Sequence, residues 1–516
     1  MAIFPADIPE VISTTKLLKS NASKGYDDIS PYICKKIIST IASPLCSIIN
    51  QSFNTGVFPD ELKIARVVPI HKAGDKLLVT NYRPISILPF FSKIFEKLMH
   101  NRLMKYLDTN DILTNNQYGF RNKSSTHLAL LNLTDIITKE LENNNFSIGV
   151  FIDLSKAFDT INHTILLQKL GRYGIRGTIL DWFHSYLNNR TQYVNINDSN
   201  SDPLPVTVGV PQGSILGPLL FIIYINDIVN VFALMNTIMF ADDTNLFFSN
   251  KDLSILFKTV NNELEKIAKW FKCNRLSLNL DKTSYIIFTT RNKKIIDTNL
   301  DIKIDGITLE LVQKTKFLGV IINSHLNWKD HIQLVQSKIS KNIGILYKIS
   351  SKLPINILKS LYFTLIQPYY QYCNIVWATG KSLALDSLFR TQKKVIRIIS
   401  KKNRLAHTDP LFKSLSILKL SDINHLQVGC FVYKSINKQL PRQFNNFFTI
   451  NSTIHNHNTR QAYKLHRMSY RIHIRENSIC IFGARFWNTL EVDLINSVSF
   501  QIFKNKLKKR LLQAYL

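Results

Sequence analysis

Two short apolar segments that lead into aspartates constrain the fold of this chain more than any other feature of its sequence. The first, residues 148–154, is rich in branched apolar side chains and predicts a buried strand that carries Asp153 near its end. The second consists of two mostly apolar arms around residues 241–244, Ala-Asp-Asp-Thr, and predicts a strand, a tight turn and another strand. Asp242 and Asp243 would then lie at a hairpin tip, 89 residues after Asp153.

Three carboxylates at strand ends are the groups that metal-assisted nucleotide transfer requires. Such a reaction uses two hard cations a few ångströms apart, one at the attacking hydroxyl and one at the triphosphate. Adjacent aspartates within a strand would point to opposite faces, whereas a turn lets both converge. An isolated Asp-Asp pair usually marks a solvated turn. The apolar arms and the third aspartate, Asp153, favour the metal-binding interpretation here.

The charge balance indicates a polyanionic partner. The 516 residues include 65 Lys and Arg against 36 Asp and Glu, which gives a formal net charge of +29. A surface of that charge repels itself unless phosphates or counterions neutralise it, so nucleic acid is the expected partner. A generally basic soluble protein, such as a ribosome-associated factor, is the alternative. With 45% hydrophobic residues the chain can form several cores, and its length predicts roughly three or four domains.

The cysteines predict neither a disulfide framework nor a zinc site. None of the six has Cys-x-x-Cys spacing, and Cys480 with His455 and His457 does not have the spacing of a zinc knuckle. A reducing compartment fits this pattern. The remaining five cysteines are Cys34, Cys46, Cys273, Cys373 and Cys430.

The sequence predicts an intracellular, non-secreted protein of the nucleus, the cytoplasm or both. The amino terminus has neither the basic nor the apolar region of a signal peptide. The longest apolar stretch, residues 215–225, contains Gly217 and Pro218 and is far shorter than the roughly 20 residues that a bilayer requires. Membrane insertion is therefore not expected.

Periodicity predicts helices at both ends of the chain and a mixture of strands and helices between them. Helical spacing or capping residues indicate helices within 1–65, over 91–107, from 124–126, from 162–164, over 253–272, from 330 and over 357–365. Strand alternation indicates strands at 276–280 and 317–322. Asp305-Gly306 predicts a two-residue hairpin, because this pair accepts the positive φ angles of a type I′ turn.

Seven segments occur in the order that one polymerase family shows. They are residues 81–86 (Asn-Tyr-Arg-Pro-Ile-Ser), 117–121 (Gln-Tyr-Gly-Phe-Arg), 151–159, 209–221, 240–243, 278–283 and 317–320. They resemble two finger motifs and palm motifs A to E of reverse transcriptases from non-LTR retrotransposons. Phe-Ala-Asp-Asp at 240–243 is the form found in these elements, and residues 485–489 resemble the carboxy-terminal regions of CR1- and Jockey-like elements.

The resemblance implies an α+β right-hand polymerase with helical fingers that carry a small sheet, an antiparallel-sheet palm, and an all-α thumb and carboxy-terminal region. The expected divisions are 1–65 as an N-terminal helical extension, 66–322 as fingers and palm, 323–400 as a thumb-like helical domain and 401–516 as a basic helical region. Basic residues around 393–404 would track a duplex backbone, although a solvated helix face explains them equally well.

The resemblance also implies the metal ligands. Asp153, Asp242 and Asp243 would bind two Mg²⁺ ions, for which Mn²⁺ can substitute, with the Leu154 carbonyl as an extra ligand. Lys282 would lie near the departing pyrophosphate and donate a proton, or serve only a structural role.

Further residues would bind substrate. Phe158 has the position of a steric gate against a 2′-hydroxyl, or is a plain core phenylalanine. Gln212 and Gly213 would line the nascent base pair, because a glycine-containing loop lets backbone approach the template.

Three basic residues complete the expected substrate contacts. Lys72 and Arg83 would hold the incoming triphosphate, Lys as a point charge and Arg as a planar fork, with a solvated surface as the alternative for Lys72. Arg121 would contact the template backbone.

The expected function is RNA-directed DNA polymerisation in retrotransposon copying, with an RNA template, a DNA primer or target DNA, and dNTPs as partners. A catalytically inactive nucleic-acid-binding remnant of a truncated element is the alternative, and a maturase-like splicing factor is a third. Relatives usually carry an endonuclease before the polymerase, and residues 1–65 are too few to hold one, so a truncated copy or partial gene is expected. The sequence leaves the oligomeric state open.

Overall fold

The structure is a computed structural model that describes residues 1–197, 199–231, 235–293, 300–454 and 461–515. His455 and His457, for which no zinc site was expected, lie outside the described residues. In chain order, the strands are β1 Ile64–His71, β2 Tyr82–Ile87, β3 Phe146–Ile152, β4 Arg190–Ile196, β5 Ser199–Asn200, β6 Leu204–Val206, β7 Asn236–Phe240, β8 Asp243–Asn250, β9 Ser284–Phe288, β10 Lys303–Ile304, β11 Ile307–Thr308, β12 Glu310–Leu311, β13 Lys314–Phe317 and β14 Val320–Asn323.

Helices surround these strands and make up nearly all of the regular structure after them. They are α1 Ile8–Leu17, α2 Pro31–Thr55, α3 Phe90–Thr109, α4 Thr126–Glu142, α5 His163–Arg172, α6 Thr178–Leu187, α7 Gly217–Ile225, α8 Leu253–Cys273, α9 Lys329–Ile349, α10 Ile355–Leu365, α11 Gln367–Gln371, α12 Asn374–Trp377, α13 Leu383–Ile399, α14 Asp409–Leu415, α15 Leu420–Ile436, α16 His473–Glu476, α17 Ile479–Trp487, α18 Val492–Ile495 and α19 Phe500–Gln513.

Capping side chains define the starts of several predicted helices. Ser125 accepts a hydrogen bond from the Leu128 backbone and begins α4, and Asn162 does the same for α5. The predicted helices over 91–107 and 253–272 correspond to α3 and α8. The helices predicted at these positions are confirmed.

A central sheet has the strand order β12-β9-β3-β8-β7, with β3 antiparallel to both β8 and β9. Every residue of β3 is buried, which confirms the buried strand that the apolar run predicted. Ile148 and Val150 face one hydrophobic core, and Phe151 faces another. Gly149 lies on the second face because a Cβ there would meet the rings of Phe247 and Phe288 at 2.7 and 2.9 Å. The central sheet therefore separates two cores.

An outer sheet has the order β2-β1-β4-β5, with β6 paired to β4. Strands β1 and β2 form an antiparallel hairpin, and β1 runs parallel to β4. Sequence analysis expected a small sheet in this region without locating its strands. The hairpin of β1 and β2 carries two of the predicted site residues, Lys72 beside its turn and Arg83 within β2.

The second core joins α4 to the carboxy-terminal helices. Helices α12, α16 and α17 pack on α4. Arg475, almost fully buried, places Nη1 2.5 Å from Asp135 Oδ1 of α4, and Arg471 donates from Nη2 to the Glu142 carbonyl at 2.9 Å. Residues after 401 thus share a core with a helix that precedes the central sheet in sequence.

Three sequence-based expectations were wrong in detail. Leu276, Leu278 and Leu280 alternate, but the segment forms only a bridge from Leu278 to Leu154. The strand expected over 317–322 is a hairpin of β13 and β14, because Gly319 has φ 81° and turns the chain.

The third concerns α10. The helical spacing of Ile357, Leu361 and Leu365 predicts that these side chains share an apolar face. This face is not the buried one, because Leu358 and Tyr362 are fully buried and Ile357 is 42% exposed. Helix α10 packs against α9 and α13, and the side chains that it buries lie one position later in the sequence than expected.

The Asp305-Gly306 turn is confirmed. The two residues have φ angles of 51° and 79°, and Ile304 pairs with Ile307 across β10 and β11. This is the positive-φ pair that a two-residue turn of the predicted type needs.

One described helix, α2, is long and apolar enough to cross a bilayer when judged by length and composition alone. It contains Pro44 and buries one face, including Ile38, Ile49 and Phe53, in the first core. A core helix of a soluble protein passes the same test, so the sequence-based expectation of no membrane insertion stays a prediction.

Candidate active site

The carboxylate hairpin has a two-residue turn. Phe240 pairs with Asp243, so Ala241 and Asp242 form the turn and Asp243 begins β8. The turn is thus tighter than the four residues that the sequence predicted. Ala241 has φ 56°, which is unfavourable for a residue with a Cβ and costs on the order of 1 kcal/mol unless neighbours hold it.

Asp153 lies beside this hairpin because β3 is the neighbour of β8. Ile152 pairs with Thr244, so one step further along the register brings Asp153 opposite Asp243. All three predicted carboxylates therefore lie at one end of the central sheet.

The pKa values of the turn carboxylates show that the three charges face one another. Burial, and then the charges of Asp242 and Asp153, raise the pKa of Asp243 to about 6. Burial also raises the pKa of Asp242, as does Asp153, whereas its own backbone amide, Arg83 and Lys72 lower it. The ionised forms of Asp242 and Asp243 are therefore destabilised by neighbouring carboxylates as long as no cation lies between them.

The donor chemistry fits a hard divalent cation. Carboxylate oxygens are the ligands that Mg²⁺ prefers, and mutual repulsion among three of them is relieved by a positive charge. Within the described ranges, however, no three His, Cys, Asp or Glu side chains group tightly enough around one point to hold an ion as they stand. The Leu154 main chain bridges to Leu278, and its role as an extra ligand stays a prediction.

A segment after α8 supports Asp153. Asn279 donates from Nδ2 to Asp153 Oδ2 at 3.1 Å, and its backbone amide donates to the Asp153 carbonyl at 2.9 Å. The buried Thr283 hydroxyl accepts from the Asp153 amide at 3.3 Å. Lys282 Nζ lies 3.9 Å from Asp153 Oδ2, and its side chain is 64% exposed. The structure thus brings Lys282 to the carboxylates and adds Asn279 and Thr283, which sequence analysis had not singled out.

Lys72 and Arg83 approach the carboxylates from the outer sheet. Arg83 pairs with Ile70 across the β1–β2 hairpin, and the Lys72 amide donates to the Asn81 carbonyl at 2.8 Å. Both side chains are exposed, and both lower the pKa of Asp242. Two cations thus face the carboxylates, as phosphate-binding residues would.

The loop of residues 209–216 is attached to the segment after β3. Gln212 donates from Nε2 to Asp159 Oδ1 at 2.8 Å, and its carbonyl accepts from the Ser86 amide at 2.8 Å. Gly213 has φ 137°, and a Cβ there would collide with the Ser86 carbonyl. Glycine is therefore required at 213 by the approach of β2, whereas the expected approach of a template stays a prediction.

Phe158 is half-buried between two other rings. Its centroid lies 4.7 Å from that of Phe221 and 6.4 Å from that of Phe120, which is 52% exposed. This position fits both alternatives, a gate at the substrate and a core phenylalanine.

Arg121 is not brought to the carboxylates. Its Nη1 donates to the Thr114 carbonyl at 2.9 Å, and burial lowers its pKa although Asp108 and Asp111 act in the opposite direction. The expected contact with a template backbone stays a prediction.

Two further residues at the site, Gln117 and Glu96, were not singled out from the sequence. Gln117 holds the Ala241 turn through its side-chain amide, and Glu96 of α3 accepts from the backbone amides of Ile215 and Leu216 at 2.5 and 3.4 Å. Glu96 is fully buried. Gln117 stands inside a quoted motif, but nothing in the sequence tells that its side chain reaches residue 241, and Glu96 stands outside the quoted motifs.

Comparison with known proteins agrees with this geometry. Residues 70–322 match the family described as reverse transcriptase (RNA-dependent DNA polymerase). Residues 70–322 are a reverse transcriptase domain. The domain contains the three carboxylates and every substrate-binding residue that the sequence predicted.

Curated relatives come from non-LTR retrotransposons of Drosophila melanogaster. The chain is 27% identical over 419 residues to a probable RNA-directed DNA polymerase from transposon BS, covering 78% of the chain and 45% of the relative. Identity to the RNA-directed DNA polymerase from mobile element jockey is 26%, with 73% and 42% covered. For the probable polymerase from transposon X-element the values are 24%, 82% and 47%. The predicted resemblance is confirmed, and the chain spans less than half the length of these relatives.

Among solved structures, apo telomerase from Candida tropicalis, truncated from its C-terminal domain, aligns with 55% of this chain and 59% of its own. The TM-score is 0.36 and the sequence identity 13%, a likeness too distant to support any conclusion.

Proposed function

We propose that this chain is an RNA-directed DNA polymerase that adds dNTPs to a primer 3′-hydroxyl and serves the copying of a retrotransposon RNA. The observation that carries the proposal is the convergence of Asp153, Asp242 and Asp243 at one end of the central sheet, opposite the cations of Lys72 and Arg83. The relatives' names state the same activity for proteins of which this chain covers less than half.

The acidic residues of the site would bind metal ions, and its basic residues bind the triphosphate. Asp153, Asp242 and Asp243 would hold two Mg²⁺ ions, or Mn²⁺, which when bound activate the attacking hydroxyl and stabilise the leaving group. Lys72 and Arg83 bind the triphosphate from the β1–β2 hairpin.

Other residues act on the sugar, the base pair and the leaving group. Lys282 is near enough to the carboxylates to donate a proton to the pyrophosphate. Gln212 and Gly213 line the base pair, and Phe158 excludes a 2′-hydroxyl. Arg121 supports the finger segment that borders the template.

The regions take the parts of a right hand. The outer sheet with α3 and α4 forms the fingers, the central sheet with α5, α7 and α8 forms the palm, and the helices from α9 form the thumb and the carboxy-terminal region. The partners are an RNA template, a DNA primer or target DNA, and dNTPs, which the net charge of +29 favours. An intracellular location, in the nucleus, the cytoplasm or both, suits the six cysteines, which are free thiols.

The test is Mg²⁺-dependent dNTP incorporation on a primed RNA template, with the double variant Asp242→Asn, Asp243→Asn beside the wild type. The matched control is Asp27→Asn, Asp28→Asn, which neutralises another adjacent pair in the loop between α1 and α2. We expect the first variant to abolish incorporation and the control to retain it.

A wild-type chain that binds the primed template at low salt without incorporating dNTPs would overturn the proposal. That result would favour the inactive binding remnant instead. Equal activity in both double variants would separate the polymerase from these carboxylates.

A further inference from the structure

The segment that precedes α4 lies along the free edge of the central sheet. Gln117 forms a parallel bridge with Met239 of β7, the Tyr118 amide donates to the Met239 carbonyl at 2.8 Å, and the Met239 amide donates to the Asn116 carbonyl at 2.9 Å. Residues 116–119, the edge segment, therefore extend the sheet beyond β7 and end beside the carboxylate turn.

The Gln117 side chain holds that turn at one residue. Its Oε1 accepts from the amides of Ala241 at 2.9 Å and Gly119 at 2.7 Å, and its Nε2 donates to the Ala241 carbonyl at 3.3 Å. Ala241 is the positive-φ residue directly before Asp242. Gln117 is 4% exposed, so water does not compete for these bonds. Both peptide groups of Ala241 are thus fixed by one side chain.

The edge segment approaches the backbone of the carboxylate turn closely at Gly119. A Cβ at Gly119 would collide with the Ala241 backbone amide, so only glycine allows this contact. Because an amide side chain of this length reaches both polar groups of Ala241, the fit depends on glutamine as well as on glycine.

The carboxy-terminal region supports the other side of the edge segment. Gln443 donates from Nε2 to the Tyr118 hydroxyl at 2.7 Å and to the Asn115 carbonyl at 3.1 Å. The fully buried Phe444 stacks edge-on against the Tyr118 ring, with 6.4 Å between centroids. Residues 443–444 thus lie one residue layer away from the carboxylate turn.

We infer that Gln117 is a positioning residue for Asp242 and Asp243, and that Gln443 of the carboxy-terminal region braces it through Tyr118. Gln117 fixes the peptide that carries Asp242 and sets the distance of the turn from Asp153. The inference rests on the proposed polymerase function and gives residues after 401 a part in it.

The test combines kinetics with hydrogen exchange of the full chain. Gln117→Met keeps the length of the side chain and removes every hydrogen bond, whereas Gln117→Asn keeps the amide and shortens its reach. We expect both to lower kcat for dNTP incorporation by 10- to 100-fold, with KM for dNTP changed by less than threefold. Peptides that contain residues 240–243 should exchange at least tenfold faster.

Gln392→Met is the matched control. Gln392 is fully buried and its side chain makes three hydrogen bonds, but to Tyr362, Leu418 and Leu420. It should leave kcat and the exchange of 240–243 unchanged. Gln443→Ala should give a smaller effect of the same kind, about three- to tenfold in kcat.

Unchanged kcat and exchange in folded Gln117→Met would overturn the inference, as would an equal loss in Gln392→Met. If neither Gln117 variant folds, the same two readouts on Gln443→Ala decide, and wild-type values there count against it. If the wild-type chain incorporates no dNTP, the proposed function fails, and hydrogen exchange alone still tests whether Gln117 holds the turn.

Discussion

The reverse transcriptase domain contains carboxylates in two kinds of surroundings, the fully buried Glu96 and the partly buried aspartates of the candidate site. Burial raises the pKa of Glu96, but the charge of Arg190, the amides of Ile215 and Leu216 and the Tyr186 hydroxyl at 3.2 Å all stabilise its ionised form. Asp243 has no such compensation, because burial and two neighbouring aspartates all raise its pKa. A carboxylate that the protein itself satisfies has a structural task, whereas carboxylates that repel one another are arranged for a cation.

The largest expected effect is the loss of dNTP incorporation when an aspartate of the candidate site is replaced. Asp153→Asn should lower dNTP incorporation on the order of 10,000-fold, about 5 kcal/mol of transition-state stabilisation. It should not lower the free energy of unfolding, because it removes one of three like charges. Single-turnover kinetics and urea unfolding measure the two quantities, with Asp301→Asn, an exposed carboxylate, as the control. A loss below tenfold would mean that Asp153 is not a ligand.

Glu96 should show the opposite pattern. Glu96→Ala removes the negative charge near Arg190 and leaves the two backbone amides without their acceptor, and should cost roughly 3–5 kcal/mol in the free energy of unfolding. Glu96→Gln should cost less, because its amide oxygen still accepts from Ile215. Thermal and urea unfolding measure the difference. Equal stability of Glu96→Ala and the wild type would break the distinction drawn between the two groups.

His331 extends the comparison to a buried side chain that has a hydrogen-bond partner, among the described residues, on only one of its two ring nitrogens. Its Nδ1 accepts from the Ile321 amide at 3.3 Å, Nε2 is buried without a hydrogen-bond partner in the described part of the chain, and the ring is 3% exposed beside Trp377. Burial, and then Lys338, lowers its pKa to about 4.

Because the folded pKa lies below the unfolded one, the stability that neutral His331 contributes is present above pH 6.5. It should be lost as the pH falls towards 4, by about 3 kcal/mol. Urea unfolding across this window measures the loss, and His331→Gln should remove most of that pH dependence. A wild-type slope equal to that of the variant would contradict the expectation.

Lys282 gives the smallest expected effect, because its contact with Asp153 is exposed and long. Lys282→Met should change the free energy of unfolding by less than about 1 kcal/mol. If Lys282 donates a proton, the Lys282→Met variant should lower kcat by about 100-fold and flatten the alkaline limb of the pH–rate profile. Lys282→Arg distinguishes charge from proton donation. A kcat within threefold of wild type for Lys282→Met would leave Lys282 as a support for Asp153 only.

Local sequence patterns predicted several elements correctly. The apolar run of β3, the caps of α4 and α5, and the Asp305-Gly306 turn follow from residues close in sequence. The alternation of residues 276–280 failed because strand spacing also suits an extended segment that makes a single bridge.

The candidate site shows the same limit. Asp153, Asp242 and Asp243 were found because their segments resemble a family and stand at strand ends. Gln117 and Glu96 act on residues more than 100 positions away, and no local spacing encodes such contacts.

The second core is built from distant parts of the chain, which has a consequence for truncated fragments of the protein. Helix α4 precedes the central sheet in sequence but buries Leu130, Leu133 and Ile137 in a core that it shares with residues beyond 370. In a fragment ending at residue 322, that face of α4 would be exposed to water and Asp135 would lose its ion pair with Arg475. We therefore expect the reverse transcriptase domain and the carboxy-terminal region to unfold together, and a fragment ending at residue 322 to be unstable on its own.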